Sequence, residues 1–150
     1  MRHRLFTRGA YRELMPDKPK VLFVCVKNGG KSQMAAGLMR HLVGDLVEVE
    51  SAGTRPGPGL NQQSVEALLE VGVDISAETT QPATASLLMA ADVVVTLGRE
   101  ARVDVPTGTH VENWDTDEPS DRGIEGAERM RLVRDDIAAR VRVLATELTP

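Results

Sequence analysis

Residues 21–32 read Val21-Leu22-Phe23-Val24-Cys25-Val26-Lys27-Asn28-Gly29-Gly30-Lys31-Ser32. The first four form an unbroken apolar run, the pattern of a strand buried on both faces as in parallel sheets. After Ser32 the apolar residues Met34, Leu38 and Leu42 recur at i, i+4 and i+8, which predicts a helix over about 32–41. A strand, a glycine-containing loop and a helix in succession build an anion site, because loop N–H groups converge and the helix N-terminus adds positive potential. Gly29 and Gly30 let the backbone take conformations that side chains forbid. Cys25 stands at the mouth of this loop and Lys31 closes it with a fixed charge. Positive potential favours a thiolate. A thiolate inside an oxyanion cradle is arranged for nucleophilic displacement at phosphorus or a similar atom. Cys25 is therefore the candidate nucleophile, and Val26, Lys27, Asn28, Gly29, Gly30, Lys31 and Ser32 the candidate oxyanion-binding residues.

Two other readings compete. A lone cysteine at a strand end is most often buried and inert. Gly29-Gly30-Lys31-Ser32 also looks like the end of the nucleotide-binding pattern G-x-x-x-x-G-K-[ST]. Against the latter, the pattern's first glycine is Cys25, and no later strand ends in the Asp that would help hold magnesium; Asp92 begins its strand instead.

Working outward, residues 46–51 alternate in period two and predict a second strand. Residues 53–59, rich in Gly and Pro, are a loop. Residues 61–71 read as a helix with Val65, Leu68 and Leu69 on one face and Gly72 as its stop. A short helix is expected at 84–91, strands at 92–97 and 110–113, and a last helix at about 123–147 with the stripe Val133, Ile137, Val141, Leu144 and Leu148. This alternation predicts an α/β three-layer sandwich around a four-stranded, mostly parallel sheet. Residues 1–19 read as a basic extension ahead of one domain at 20–150. Pro16 and Pro19 bracket the end of that arm, and Leu5, Phe6, Leu14 and Met15 are candidates to pack on the body or on a second copy in a homodimer.

Composition narrows the function. The chain has 150 residues and a single cysteine, so an intramolecular disulfide, a multi-cysteine metal site and a relay among the protein's own thiols are excluded. His3, His41 and His110 are scattered, and no metal site is expected. No stretch approaches the roughly 20 apolar residues of a membrane helix. The first twenty residues carry six basic and two acidic side chains without a continuous apolar core, which argues against a secretory signal. A net charge of −4 overall, with +4 in that arm, leaves the body at −8, a poor general nucleic-acid binder. The cytoplasm, where a lone thiol stays reduced, is the expected compartment.

The segment Cys25 to Ala36 resembles the signature of the low-molecular-weight tyrosine phosphatase family, specifically its arsenate-reductase branch: strand, Cys, two residues, Asn, two residues, Arg, Ser. Asn28, Ser32, Gln33 and Met34 stand where the arsenate-reductase pattern has them. The resemblance continues through Ser51-Ala52-Gly53-Thr54, Gly72-Val73-Asp74-Ile75-Ser76, Ala91-Asp92 and Trp114 with its acidic segment, and covers about residues 20–147. It implies that Asn28 shapes the loop through side-chain hydrogen bonds. Ser32 is near enough to donate to the thiolate and to cap the following helix.

Three departures stand out. The family's loop arginine is Lys31 here, a point charge in place of a bidentate fork. Displacement of an oxygen needs a proton donor, which the family takes from an Asp directly before a proline. In Asn113-Trp114-Asp115-Thr116-Asp117-Glu118-Pro119 that register falls on Glu118, with Asp117 as the alternative, unless the cluster only caps a turn. Trp114 is either a packing anchor or a substrate contact. Thioredoxin-coupled relatives carry two further cysteines after the strand matching 92–97, whereas residues 98–105 hold no sulfur and Gly30 occupies another position often held by Cys. The resemblance therefore implies an arsenate–mycothiol transferase. Arsenate is the substrate, mycothiol the co-substrate that receives the arsenic, and a glutaredoxin-like mycoredoxin releases arsenite; no bound cofactor is expected. A low-molecular-weight protein tyrosine phosphatase and a non-catalytic oxyanion-binding protein are the alternatives.

Overall fold

The computed structural model describes residues 18–150; residues 1–17, with the expectations for the basic arm and for Leu5, Phe6, Leu14 and Met15, lie outside it. Its sheet has four strands, β1 (Lys20–Cys25), β2 (Glu48–Gly53), β3 (Val93–Leu97) and β4 (His110–Trp114). Their order is β2-β1-β3-β4 and every neighbouring pair is parallel, so the sheet is wholly rather than mostly parallel. The apolar run of β1 lies at the centre, and Val21, Leu22, Phe23 and Val24 are at most 2% exposed. Pleating sends Val21, Phe23 and Cys25 into one core and Leu22 and Val24 into the other.

Helices α1 (Lys31–Val43), α2 (Gln62–Leu69) and, after the short α3 (Ala85–Ala90), the long α4 (Gly126–Leu148) complete the chain. Met34 and Met39 of α1, Leu68 of α2 and Ile137 of α4 close over Phe23 and Val95 on the larger face. Leu88 of α3 joins Leu22, Val24 and Val94 on the other. That is the three-layer arrangement, with both faces of a parallel sheet covered. The expected stripe of α4 is buried at all five positions, Val133, Ile137, Val141, Leu144 and Leu148.

Several expected boundaries move. Residues 44–46 form a single 3-10 turn, and the second strand starts at Glu48 and runs to Gly53. The buried face of α1 is Met34, Ala35, Met39 and Val43; Leu38 is half-buried and Leu42 half-exposed. A row of i+4 steps drifts around the helix by about 40° per step, so Leu38 and Leu42 slide off the centre of a contact that packs against both the sheet and α4. α1 also packs closely at Gly37, where a Cβ would fall 2.6 Å from Ile75. In α2, Val65 and Leu68 are buried and Leu69 faces outward. Asn61 caps that helix through its side chain on Ser64 N–H at 2.9 Å, and Gly72 turns the chain at φ 83°. α4 begins three residues later than expected, after the one-turn 3-10 helix Pro119–Arg122.

α2 and α4 are clasped just beyond the end of α2. The Glu70 carboxylate receives Arg131 at 2.8 Å and Arg134 at 2.9 Å, and Arg134 also donates to the Ala67 carbonyl at 2.9 Å. The hydrogen bonds from Arg131 and Arg134 pull the Glu70 carboxyl from its usual 4.5 to about 2. A carboxyl depressed in the folded state stabilises the fold fully above its unfolded value, and the contribution fades as pH falls through the folded one. Glu70→Gln is thus expected to lower the urea midpoint at pH 7, and its deficit should vanish as pH falls from 4.5 to about 2. A deficit that stays constant across that window would refute the assignment.

Candidate active site

β1 delivers Cys25 to the carboxyl edge of the sheet, and the loop of residues 26–30 returns the chain to α1. The carbonyls of residues 25–29 are all engaged. Thr54 N–H donates to Cys25 O at 3.0 Å, Arg55 to Val26 at 2.8 Å, Gly57 to Lys27 at 2.9 Å and Asn61 to Gly29 at 2.7 Å. The Gln33 side chain donates to Asn28 O at 3.0 Å. In a planar trans peptide the C=O of one residue and the N–H of the next point in opposite directions. The amides of residues 26–30 therefore point away from those five partners, and the loop ends at the N-terminus of α1, which has no acidic residue in its first turn. No acceptor among the described residues takes the Lys27, Gly29 or Gly30 amides, so they are available to an oxyanion.

Asn28 is what bends this loop. It has φ 57°, the only described residue other than glycine with positive φ, and is wholly buried. Asn tolerates this left-handed conformation better than most side chains. Its side-chain N–H donates to Ser32 Oγ at 2.7 Å, and its side-chain oxygen accepts from Gln81 N–H at 3.0 Å. Because Ser32 Oγ accepts from Asn28, its own proton is free to donate to Cys25 Sγ, 3.0 Å away. Sγ also accepts from the Asn28 N–H at 3.3 Å. Sγ thus has two hydrogen-bond donors within reach.

Two expectations change here. Ser32 does not cap α1: the cap residue is Gly30, without a side-chain cap bond, and the Ser32 hydroxyl serves Asn28 and Cys25 instead. Gly29 is needed for room rather than for an unusual φ, since a Cβ there would lie 2.8 Å from Gly59 O. Gly53 faces the same demand, with its Cβ 2.7 Å from Val26 O.

Cys25 opens on a cavity of about 390 Å³ whose walls include Val26, Lys31, Gly98, Arg99, Glu118 and Asp121. The Lys31 ammonium is ion-paired with the Glu118 carboxylate. Asp117 points elsewhere: Arg122 holds its carboxylate at 2.8 and 3.2 Å, and that pairing keeps it below the ordinary carboxylate range. The fold thus brings Cys25, Lys31, Ser32 and Glu118 together and leaves Asp117 outside. Asp121 and Arg99 were missed; Asp121 arrives because the turn at Pro119–Arg122 carries it one turn past Glu118. Trp114 is 5% exposed, and its ring sits on Phe23 with centroids 5.7 Å apart. It anchors the start of the acidic segment in the core. Among the described residues, no group of three or more His, Cys, Asp and Glu could hold a metal ion, and no helix is long and apolar enough to cross a membrane.

This geometry has close counterparts. The sequence pattern of the low molecular weight phosphotyrosine protein phosphatases matches residues 20–150. An arsenate reductase of Shouchella clausii is 40% identical over 135 residues, covering 86% of this chain and 96% of its own. Arsenate reductase 1 of Staphylococcus epidermidis is 36% identical over 132 residues, covering 86% and 97%. Among solved structures, the thioredoxin-dependent arsenate reductase of Corynebacterium glutamicum superposes with TM-score 0.76 at 31% identity, over 98% of this chain and 70% of that one. An arsenate reductase in its phosphate-binding state superposes with TM-score 0.72 at 30% identity, over 87% and 99%.

The loop's dependence on Asn28 is testable. Asn28→Ala removes two buried side-chain bonds and places a less tolerant residue at φ 57°. It is expected to cost about 2–4 kcal/mol in urea unfolding. A loss below about 1 kcal/mol would show that the loop is bent by other contacts.

Proposed function

Since the chain belongs to the low molecular weight phosphotyrosine protein phosphatase family, we propose that it is an arsenate reductase that hands arsenic to an external thiol. The observation that carries this reading is a single thiol, Cys25, reached by two hydrogen-bond donors and lining a cavity that Lys31 and Glu118 also line.

In the proposed reaction the loop amides and Lys31 hold arsenate with its arsenic against Sγ. The Cys25 thiolate attacks arsenic, a sulfur–arsenic bond forms, and one arsenic–oxygen bond breaks. Glu118 supplies the proton with which that oxygen leaves as water; arsenic is still pentavalent. Ser32 and the Asn28 amide stabilise Cys25 as the attacking and, later, the leaving thiolate. The chain has no second cysteine, so the electrons for reduction come from outside. Mycothiol is the proposed acceptor: its sulfur attacks arsenic and Cys25 departs. A thiol of a mycoredoxin then attacks the mycothiol sulfur. The sulfur–arsenic electron pair stays with arsenic, which leaves as trivalent arsenite, and the two thiols become a mixed disulfide.

The tests follow from these roles. Arsenate with mycothiol and mycoredoxin is expected to turn over, thioredoxin alone is not, and p-nitrophenyl phosphate should be a poor substrate. Turnover of the ester alone would overturn the reading. Cys25→Ser is expected to abolish arsenate turnover. Glu118→Gln should lower kcat by about 10²- to 10⁴-fold, the usual worth of a positioned acid. Asp117→Asn should stay within about threefold, as surface substitutions away from the chemistry generally do.

A further inference from the structure

We propose that Glu118 is a built-in competitor for the oxyanion, holding the loop's Lys31 until a substrate displaces it; this rests on the reading that an oxyanion binds the loop. The charges around the Cys25 cavity carry the inference. Lys31 and Arg99 are its cations. Lys31 is paired with Glu118, with their side chains 20% and 28% exposed, and Arg99 is paired with Asp115 at 3.0 Å. The remaining wall carboxylates, Glu100 and Asp121, have no cation within ion-pair distance among the described residues. Among the described residues this cavity therefore has a net acidic lining and no unpaired cation.

The two partners differ in how firmly they are held. Lys31 is the first residue of α1, a helix packed on both the sheet and α4. Glu118 precedes a single 3-10 turn, has φ −122° and ψ 79°, and makes no side-chain cap bond. Among the described residues its carboxylate has Lys31 as its sole partner. Pro119 restrains the backbone at the next position, so the low-cost movement is rotation of the Glu118 side chain at the expense of one ion pair. An oxyanion then replaces the carboxylate on Lys31, and Glu118 is left beside it, where the proposed acid has to stand. Ground-state competition and proton donation become two positions of one side chain.

Sulfate and methanesulfonate, tetrahedral oxyanions of charge −2 and −1, test this by calorimetric titration. If Glu118 must leave before either binds, both pay the same cost. Glu118→Gln should then tighten both, by about fivefold for an ion pair of this exposure. The gain should vanish on a Lys31→Met background, where there is no ammonium to contest. The same Glu118→Gln enzyme should show a lower KM for arsenate together with its lower kcat, a split that mere loss of an acid does not produce. Unchanged or weaker anion binding in Glu118→Gln would overturn the proposal. A gain that persists on the Lys31→Met background would also overturn it, because that is the signature of simple repulsion from a carboxylate that never moves. Binding without a gain removes this inference alone, whereas failure of every variant, wild type included, to bind either anion removes the oxyanion reading along with it.

Discussion

The backbone of residues 54–61 takes up the carbonyls of the loop after β1, and the site depends on that pairing. Buried peptide groups must find partners, and here every carbonyl of residues 25–29 has one. Once Thr54, Arg55, Gly57, Asn61 and the Gln33 side chain have bound the carbonyls, the amides point away from those partners, and that of Asn28 reaches the sulfur. The glycines at 29 and 53 let the two segments approach closely enough for these bonds. Asn28 fixes the one left-handed residue on which the loop turns. Parallel pairing of β1 with both β2 and β3 places this junction at the carboxyl edge of a buried sheet, where its position is set by the whole core.

Electrostatics is arranged in two shells with different stiffness. Dipoles of the loop and of α1 are part of the fold and cannot be neutralised by moving a side chain. The side-chain charges at the rim pair with one another, Lys31 with Glu118 and Arg99 with Asp115. A lysine suits an exchange of partner better than an arginine, because an ammonium has no preferred fork to lose when its partner changes.

Much of this was legible early because it depends on neighbours in the chain. The apolar run of β1, the even spacing of the α4 stripe and the strand–loop–helix order are short-range features, and all three appear as expected. Cys25, Asn28, Lys31 and Ser32 could be picked out because they lie within eight residues. The less legible features depend on packing at a distance. The buried side of α1 is chosen by α4, more than eighty residues away, which is why Leu38 and Leu42 sit off its centre. Leu69 lies on the predicted face of α2 but outside the contact that α2 makes, and is left in solvent.

Residue types and local order were sufficient to establish a single thiol in the loop between the first strand and its helix, and a parallel α/β layout, since these follow from counting and from short-range backbone geometry. Only the tertiary structure decided which of Asp117 and Glu118 lines the Cys25 cavity. Adjacent residues point in different directions, and the choice depends on Arg122 drawing one carboxylate away while Lys31, 87 positions earlier, meets the other. The serine's duty was decided the same way. Its position near a helix start allows it to cap, but with Gly30 as the cap residue its hydroxyl is free to relay Asn28 to the sulfur.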